Sequence, residues 1–171
     1  MKEEGRAEKL RSLKRGYLFL LLRLALLAAG LYLLFGVVCL LWRVQGREML
    51  PAVHDGDLLL AYRLERVLNR GDLVIYQAEG QRRVGRIAAN GNDRVEITAN
   101  GSLLVNGALQ SRDSAFETGA EEEALSLTVP EGCLYILGDA GGAGYDSRGF
   151  GPVPTENVEG KVIGLLRVRG F

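Results

Sequence analysis

The chain has 171 residues, enough for one domain of modest size together with a membrane anchor. Its formal net charge is zero, so nothing in the overall charge indicates nucleic acid binding. The charge is unevenly distributed, however. Seven Lys and Arg residues stand against three Glu in residues 1–23, which gives this part +4 and leaves −4 for the rest. A basic leader before an apolar span is the pattern that keeps an N-terminus in the cytoplasm.

Residues 1–16 predict a short basic cytoplasmic tail, either solvated or lying against anionic headgroups. Residues 17–42 predict a transmembrane anchor, whose uncharged part from residue 24 would span roughly 28 Å as a helix. Arg23 can snorkel toward the headgroups, and Tyr17 and Trp42 suit the two interfaces. The alternative is a cleaved secretory signal, but the apolar core is long and no small-x-small site follows it. We therefore expect an uncleaved anchor, with residues 43–171 outside the cytoplasm.

Two cysteines, Cys39 in the apolar run and Cys133 far outside it, are not expected to form a disulfide. Val38 precedes Cys39 where a lipid-attachment site usually has a small residue. A packing role is therefore predicted for Cys39.

The outer part predicts a mostly β fold, a small and mainly antiparallel barrel or folded sheet. Asn100-Gly101 and Asn106-Gly107 are turns that match strand twist. Residues 63–69 predict a helical turn at most, and residues 110–124 predict an acidic surface loop, solvated or facing a basic partner. The predicted strands are 58–62, 73–76, 94–98, 103–105, 125–129, 134–137 and 162–168.

Three short boxes carry the functional signal. The first is Gly-Arg-Glu-Met-Leu-Pro-Ala at residues 46–52, followed by Asp-Gly-Asp at residues 55–57. The second is Gly-Arg-Ile-Ala-Ala at residues 85–89, followed by Asn-Asp at residues 92–93. The third is Gly-Asp-Ala-Gly at residues 138–141, followed by Gly-Tyr-Asp-Ser-Arg-Gly-Phe-Gly at residues 144–151.

Together, and after a basic tail and one apolar span, these boxes resemble those of the type I signal peptidases (S26), membrane-anchored peptidases that use a Ser/Lys pair. The first family box reads G-x-S-M-x-P-T. The resemblance covers nearly the whole chain and implies the signal-peptidase fold of a folded β domain after one transmembrane helix. The matching residues besides Met49 are expected to be structural: Pro51, Arg86, Gly138, Asp139, Asp146, Ser147 and Arg148.

The departures from the family fall on the catalytic positions. The nucleophilic Ser aligns with Glu48, the general-base Lys with Gly85, and the Ser that orients the Lys with Gly144. Such a peptidase needs a hydroxyl activated by an amine of lowered pKa, and these positions supply neither. Glu48 is expected to pair with Arg47 or Arg86 or to face water.

The resemblance implies a groove for an extended peptide between two strands, about residues 44–49 and 82–85. Edge strands can hold such a peptide through main-chain hydrogen bonds without a catalyst. The predicted groove residues are Val44, Gly46, Met49, Leu50, Arg82 and Val84. The sequence looks like the subgroup of signal-peptidase-like proteins that lack the dyad and assist pilus assembly. An exported or pilus protein segment is then the expected partner, at a bacterial cell membrane.

Two other functions stay open. One is an active endopeptidase of the signal peptidase I type that cleaves signal peptides of exported proteins, with Glu48 in a new role. The other is a relic or regulator that competes with an active paralogue for substrates. No cofactor, metal or nucleic acid is expected.

The remaining polar residues have plainer interpretations. His54 is expected to be a surface residue. His54 and Glu48 alone are too few ligands for a metal site. Asp146 and Arg148 predict a structural ion pair, and Asp139 is expected to serve its own turn.

Overall fold

The computed structural model of the chain describes residues 2–98, 102–110, 125–140 and 145–167, with side chains from residue 14 onward. The chain divides into two compact units, Met1–Val38 and Cys39–Phe171, which are described separately.

The first unit is helical. Helix α1 runs over Lys2–Leu33 and is continued by a π-helical turn, Leu34–Val38. The segment Lys14–Val38 is long and apolar enough to cross a membrane, and its large apolar side chains are exposed in this chain. An N-terminal helix of this kind is consistent with a single-pass membrane protein.

The helical segment ends four residues before the predicted end of the anchor. Cys39–Arg43 is strand β1, which pairs with Leu58–Tyr62. Leu40 and Trp42 pack against the core of the second unit, so Trp42 is a sheet residue and not the last residue of the helical anchor. Hydropathy could not separate the two segments, because an apolar strand that follows an apolar helix continues the same run of residues.

The second unit is mostly β, as predicted, and all its strand pairs are antiparallel. A seven-stranded sheet has the order β1-β2-β11-β3-β4-β9-β10, and a four-stranded sheet has the order β7-β6-β5-β8. The strands after β1 are β2 (Leu58–Tyr62), β3 (Leu73–Ala78), β4 (Gln81–Asn90), β5 (Arg94–Ile97), β6 (Leu103–Val105), β7 (Ala108–Leu109), β8 (Leu125–Thr128), β9 (Cys133–Leu137), β10 (Val153–Pro154) and β11 (Val158–Leu166). A short helix, α2 (Ser147–Phe150), and a 3₁₀ turn, Thr155–Asn157, precede the last strand.

Most predicted strands are confirmed within one or two residues. However, β11 begins four residues earlier than expected, and β4 was predicted only over residues 82–85, as the resemblance implied. The β4 segment begins Gln-Arg-Arg and contains Gly85 and Arg86, so its apolar alternation is weak. The predicted helical turn at 63–69 is absent, since this segment is a loop. Asn106 and Gly107 have φ of 54° and 79°, as a twist-matched turn requires. Asn100-Gly101 and residues 111–124 of the acidic loop lie outside the described residues.

Two apolar clusters pack on opposite faces of β3 and β4. Ile75 and Val84 face one cluster, which includes Leu59 and Met49. Tyr76 faces the other, which includes Ile136 of β9. Because side chains alternate along a strand, Val84 and Ile87 of β4 contact different clusters. The second box therefore lies between the two clusters.

Candidate functional site

The first box forms a turn that is fixed by main-chain hydrogen bonds. Val44 N–H donates to Asp57 C=O at 2.8 Å, and Val53 N–H donates to Met49 C=O at 2.8 Å. Val44, Met49 and Val53 are buried in the core, which anchors the turn from below. The turn therefore holds Glu48 at a defined place. The strand predicted over residues 44–49 is absent, because this segment forms the turn instead.

Glu48 connects the first box to the third. Its carbonyl oxygen accepts a hydrogen bond from Ala140 N–H at 2.9 Å. A Cβ atom on Gly138 would lie 2.7 Å from that oxygen, so only glycine permits this approach.

The base position is closed by its neighbours. Gly85 is buried on β4 opposite Val74 of β3. A Cβ atom there would lie 2.5 Å from Ile136 Cγ2, 3.2 Å from Leu137 C=O and 3.2 Å from Tyr76 Cε1. A longer side chain at this position therefore requires the surrounding core to move.

Tyr76 brings a buried phenol to the place beside Gly85. Burial first, and then the charge of Asp146, raise the pKa of Tyr76, and the charge of Arg83 opposes them. A phenol with a raised pKa stays protonated at neutral pH, so Tyr76 presents a neutral hydroxyl beside Gly85.

Arg83 supplies the cation at the site, two residues before the base position. Its Nη1 lies 3.4 Å from Glu48 Oε1 and donates to Tyr145 C=O at 3.2 Å. Its guanidinium stacks over Tyr145 and Phe150, with 5.5 Å and 6.0 Å to the ring centroids. The Arg83 side chain is 11% exposed and that of Glu48 is 33% exposed. The predicted partners of Glu48, Arg47 and Arg86, are thus replaced by Arg83.

Burial and the neighbouring Arg83 act in opposite directions on the pKa of Glu48. Burial raises the pKa of the Glu48 carboxyl, Arg83 lowers it, and Asp146 raises it again, with a net rise. The Arg83 guanidinium therefore compensates only part of the cost of removing this carboxylate from water.

The third box is held by a buried ion pair, as predicted. Asp146 Oδ2 accepts from Arg148 Nη2 at 2.7 Å and from Gly138 N–H at 2.9 Å, and Asp146 also caps α2. Ser147 Oγ accepts from Ile136 N–H at 3.0 Å, which fits a structural serine. Gly144 lies outside the described residues.

The predicted role of Asp139 needs correction. Both of its carboxylate oxygens accept from the Arg86 guanidinium, at 2.9 Å and 2.7 Å. This bidentate pair joins β4 to the end of β9 and does not close a local turn. It was missed because 53 residues separate the two partners in sequence.

A cleft of about 140 Å³ lies beside Glu48. Arg82 and Val84 of the predicted groove line it, whereas Val44 and Met49 are core residues and do not. Gly46 is exposed and Leu50 half-buried, and neither lines the cleft. The full lining is Trp42, Gln45, Glu48, Gln81, Arg82, Arg83 and Val84.

Main-chain edges flank this cleft. Strand β1 is at the edge of its sheet. Strand β9 pairs with β4 only from Arg86 onward, so the outward edge of residues 81–85 has no strand partner among the described residues. Two lining residues, Trp42 and Gln81, lie outside the predicted groove strands, and Gln45 and Arg83 lie within them but were not predicted to line the groove. Recognising β4 as a strand would have placed Arg83 and Gly85 on one face.

Two further predictions concern metals and His54. Within the described ranges, no group of three or more His, Cys, Asp and Glu side chains is placed to hold a metal ion. His54 is on the surface, as predicted, and its main-chain N–H donates to Asp57 Oδ2 at 2.9 Å. Neither His54 nor Ser147 forms a nucleophile–base pair with Glu48 in the described contacts.

Comparison with known proteins was made on sequence and structure. Residues 15–166 match the family described as "Signal peptidase, peptidase S26". The chain is 30% identical to signal peptidase I of Bacillus caldolyticus in an alignment 137 residues long, which covers 70% of this chain and 74% of that protein. It is 29% identical over 133 residues to the probable thylakoidal processing peptidase 2 of Arabidopsis thaliana, covering 70% of this chain and 36% of that protein.

The chain therefore spans little more than a third of the thylakoidal peptidase. The crystal structure of a signal peptidase I from Enterococcus faecalis is similar with a TM-score of 0.49 and 28% identity, over 56% of this chain and 97% of that one.

Proposed function

Because this chain belongs to the peptidase S26 family of signal peptidases, we propose that it keeps the family's peptide cleft without its catalyst. It binds an exported protein segment in extended form and acts as an assembly factor at a bacterial cell membrane. The N-terminus is cytoplasmic in this proposal, and the β unit lies outside.

The observation that carries the proposal is the packing around Gly85. Ile136, Leu137 and Tyr76 occupy the surroundings of its missing side chain, and Glu48 stands at the nucleophile position in contact with Arg83. Amide hydrolysis of the family's kind needs a hydroxyl and a neutral amine, and the base position has no room for the amine.

The cleft itself supports binding. Its two flanking edges offer unpaired main-chain groups to a strand-like ligand, and Trp42, Val84 and the two glutamines offer side-chain contacts. Assembly of pili is the narrower assignment, and it rests on the resemblance to dyad-lacking members of the family.

The alternative is an active endopeptidase of the signal peptidase I type. Its support is that curated relatives are named peptidases, and that Glu48 is a half-buried carboxylate with a raised pKa at the nucleophile position. It predicts cleavage of a secretory precursor that is lost in Glu48→Gln.

The deciding experiment combines cleavage and crosslinking with the full-length protein in detergent. We expect no cleavage of a secretory precursor by the native chain. A photoreactive residue at Gln81 is expected to crosslink an exported protein, whereas the same residue at the exposed Leu109 of the other sheet does not. Cleavage by the native chain that Glu48→Gln abolishes would contradict the proposal. Equal crosslinking from both positions would show that the cleft is not the binding site.

The double substitution Glu48→Ser/Gly85→Lys tests the packing argument in the same assay. Lysine at position 85 meets Ile136 and Tyr76, so we expect this variant to remain inactive unless Ile136 is also reduced to Ala. Full activity of the double variant alone would show that the base position is open. Crosslinking to one abundant surface protein, and not to many precursors, separates an assembly factor from a competitor of an active paralogue.

A further inference from the structure

The guanidinium of Arg83 has one edge that no carboxylate occupies among the described residues. This flat edge, formed by Nε and Nη2, matches the two oxygens of a carboxylate. Arg86 uses it to bind Asp139, at 2.9 Å and 2.7 Å. Arg148 uses it to bind Asp146 at the same two distances. The Nε of Arg83 is instead buried without a hydrogen-bond partner in the described part of the chain.

A neutral side chain holds the other half of this edge. Gln81 Oε1 accepts from Arg83 Nη2 at 3.1 Å, and Gln81 is an exposed residue at the start of β4. An amide oxygen binds a guanidinium less strongly than a carboxylate oxygen does. An acidic group that satisfies both Nη2 and Nε can therefore displace the Gln81 amide.

The rest of the Arg83 side chain is held in place. Its Nη1 donates to Tyr145 C=O, and the rings of Tyr145 and Phe150 lie against the guanidinium. A Cβ atom on Gly149 would lie 2.5 Å from Tyr145 Cε2, so glycine leaves room for that ring. A guanidinium that is already oriented loses little freedom when a ligand binds.

The other charged groups of the cleft do not use this edge. Arg82 is already paired, since its Nε lies 2.7 Å from Glu159 Oε2. Glu48 approaches Arg83 at Nη1, 3.4 Å away. The capacity of the cleft to bind a further carboxylate therefore lies at Nε and Nη2 of Arg83.

We propose that the cleft selects an extended segment with an Asp or Glu side chain, whose carboxylate replaces Gln81 on Arg83 Nη2 and also binds Nε. The inference rests on the proposed function, in which the cleft holds an extended segment. A side chain within the segment fits better than a free chain end, because the edge of residues 81–85 without a described strand partner continues past Arg83 in both directions.

The test is peptide binding to the full-length protein in detergent. It is followed by the fluorescence of Trp42, the single tryptophan, which lines the cleft. The peptides are acetyl-Ser-Thr-Val-Xaa-Val-Thr-Ser-amide with Glu, Gln or Lys at Xaa. We expect the Glu peptide to bind about tenfold more tightly than the Gln peptide, and the Lys peptide to bind most weakly.

Three variants separate the Arg83 edge from general charge effects. Gln81→Glu supplies a carboxylate from the chain itself and is expected to abolish the preference for the Glu peptide. Arg83→Lys keeps the charge but lacks the edge, so it should lose most of the preference. Gln110→Glu makes the same charge change as Gln81→Glu after β7, beside the other sheet, and should leave all three affinities unchanged.

Several outcomes would overturn the acidic preference. Equal binding of the Glu and Gln peptides, or a preference that survives Gln81→Glu, would contradict it and leave the peptide cleft in place. Preference for the Lys peptide that is lost in Glu48→Gln would make Glu48 the ligand-binding charge. Tightest binding by acetyl-Ser-Thr-Val-Gln with a free carboxylate would assign the edge to a chain end.

Absence of binding by all the peptides would also overturn the inference. The crosslinking experiment at Gln81 and Leu109 then decides separately whether the proposed function fails as well.

Discussion

The main chain and the side chain of Glu48 make separate contacts. Its main chain keeps the contact with Ala140, so the turn that presents it remains intact. Its side chain is a carboxylate 3.4 Å from Arg83, where the family has a hydroxyl. The carboxylate is partly removed from water, and this burial exceeds the attraction of Arg83 in setting its pKa.

Because the pKa of Glu48 is raised, the unfolding free energy should depend on pH, and Glu48→Gln tests this dependence. Between the ordinary pKa of a glutamate and the raised value, the unfolded chain is ionised at this residue while the native chain still binds the proton. The unfolding free energy of the native chain should therefore fall, relative to Glu48→Gln, as pH rises through this window, and the difference should level off above it.

The measurement is urea unfolding of both proteins in detergent over a pH series, followed by the fluorescence of Trp42, the single tryptophan. Glu131→Gln, at an exposed turn position, controls for the change in overall charge. A difference of opposite sign would mean that Arg83 stabilises the charged form by more than burial penalises it.

The elements that carry the boxes are joined by buried polar contacts and not by apolar packing alone. Helix α2 has only four residues and is kept beside β9 by Asp146 and Ser147. Strand β4 is joined to the end of β9 by Arg86 and Asp139. These contacts hold the third box against β9 and against the second box.

Asp146→Ala removes four hydrogen bonds at once, from Gly138 N–H and from three donors of Arg148. Because both partners of the ion pair are buried, we expect the unfolding free energy to fall by about 3–5 kcal/mol. Urea unfolding of the full-length protein in detergent measures it.

The matched control for Asp146→Ala is Glu96→Ala, which breaks a pair with Arg94 that is largely exposed and 2.7 Å long. Its loss should stay below about 1 kcal/mol. Similar losses for the two variants would show that the Asp146 pair contributes no more than a surface pair.

The whole chain combines an apolar helical unit with a β unit that begins at the next residue. The excess of basic residues before the apolar segment of α1 predicts a cytoplasmic N-terminus and therefore a β unit on the opposite side. This orientation determines which proteins can reach the cleft, since only exported segments would meet it.

Protease protection tests this orientation. In intact spheroplasts that express the full chain, added protease is expected to degrade the β unit and to spare a tag at the N-terminus. Permeabilised spheroplasts, in which the tag is also lost, serve as the control. Protection of the β unit in intact spheroplasts would indicate the opposite orientation. Exported proteins would then be excluded as ligands of the cleft.

The sequence by itself determined the apolar segment, the mostly β class and the three boxes, because periodicity, turn residues and local motifs are encoded over short stretches. It also placed Asp146 beside Arg148, which are two residues apart. Only the tertiary structure decided where the helix ends, since Cys39–Arg43 becomes a strand through pairing with β2.

Only the tertiary structure likewise placed Arg83 on Glu48 and Asp139 on Arg86, and closed the space at Gly85 with Tyr76 and Ile136. These contacts join residues that are far apart in the chain. Their geometry follows from sheet register and packing, which no local pattern records.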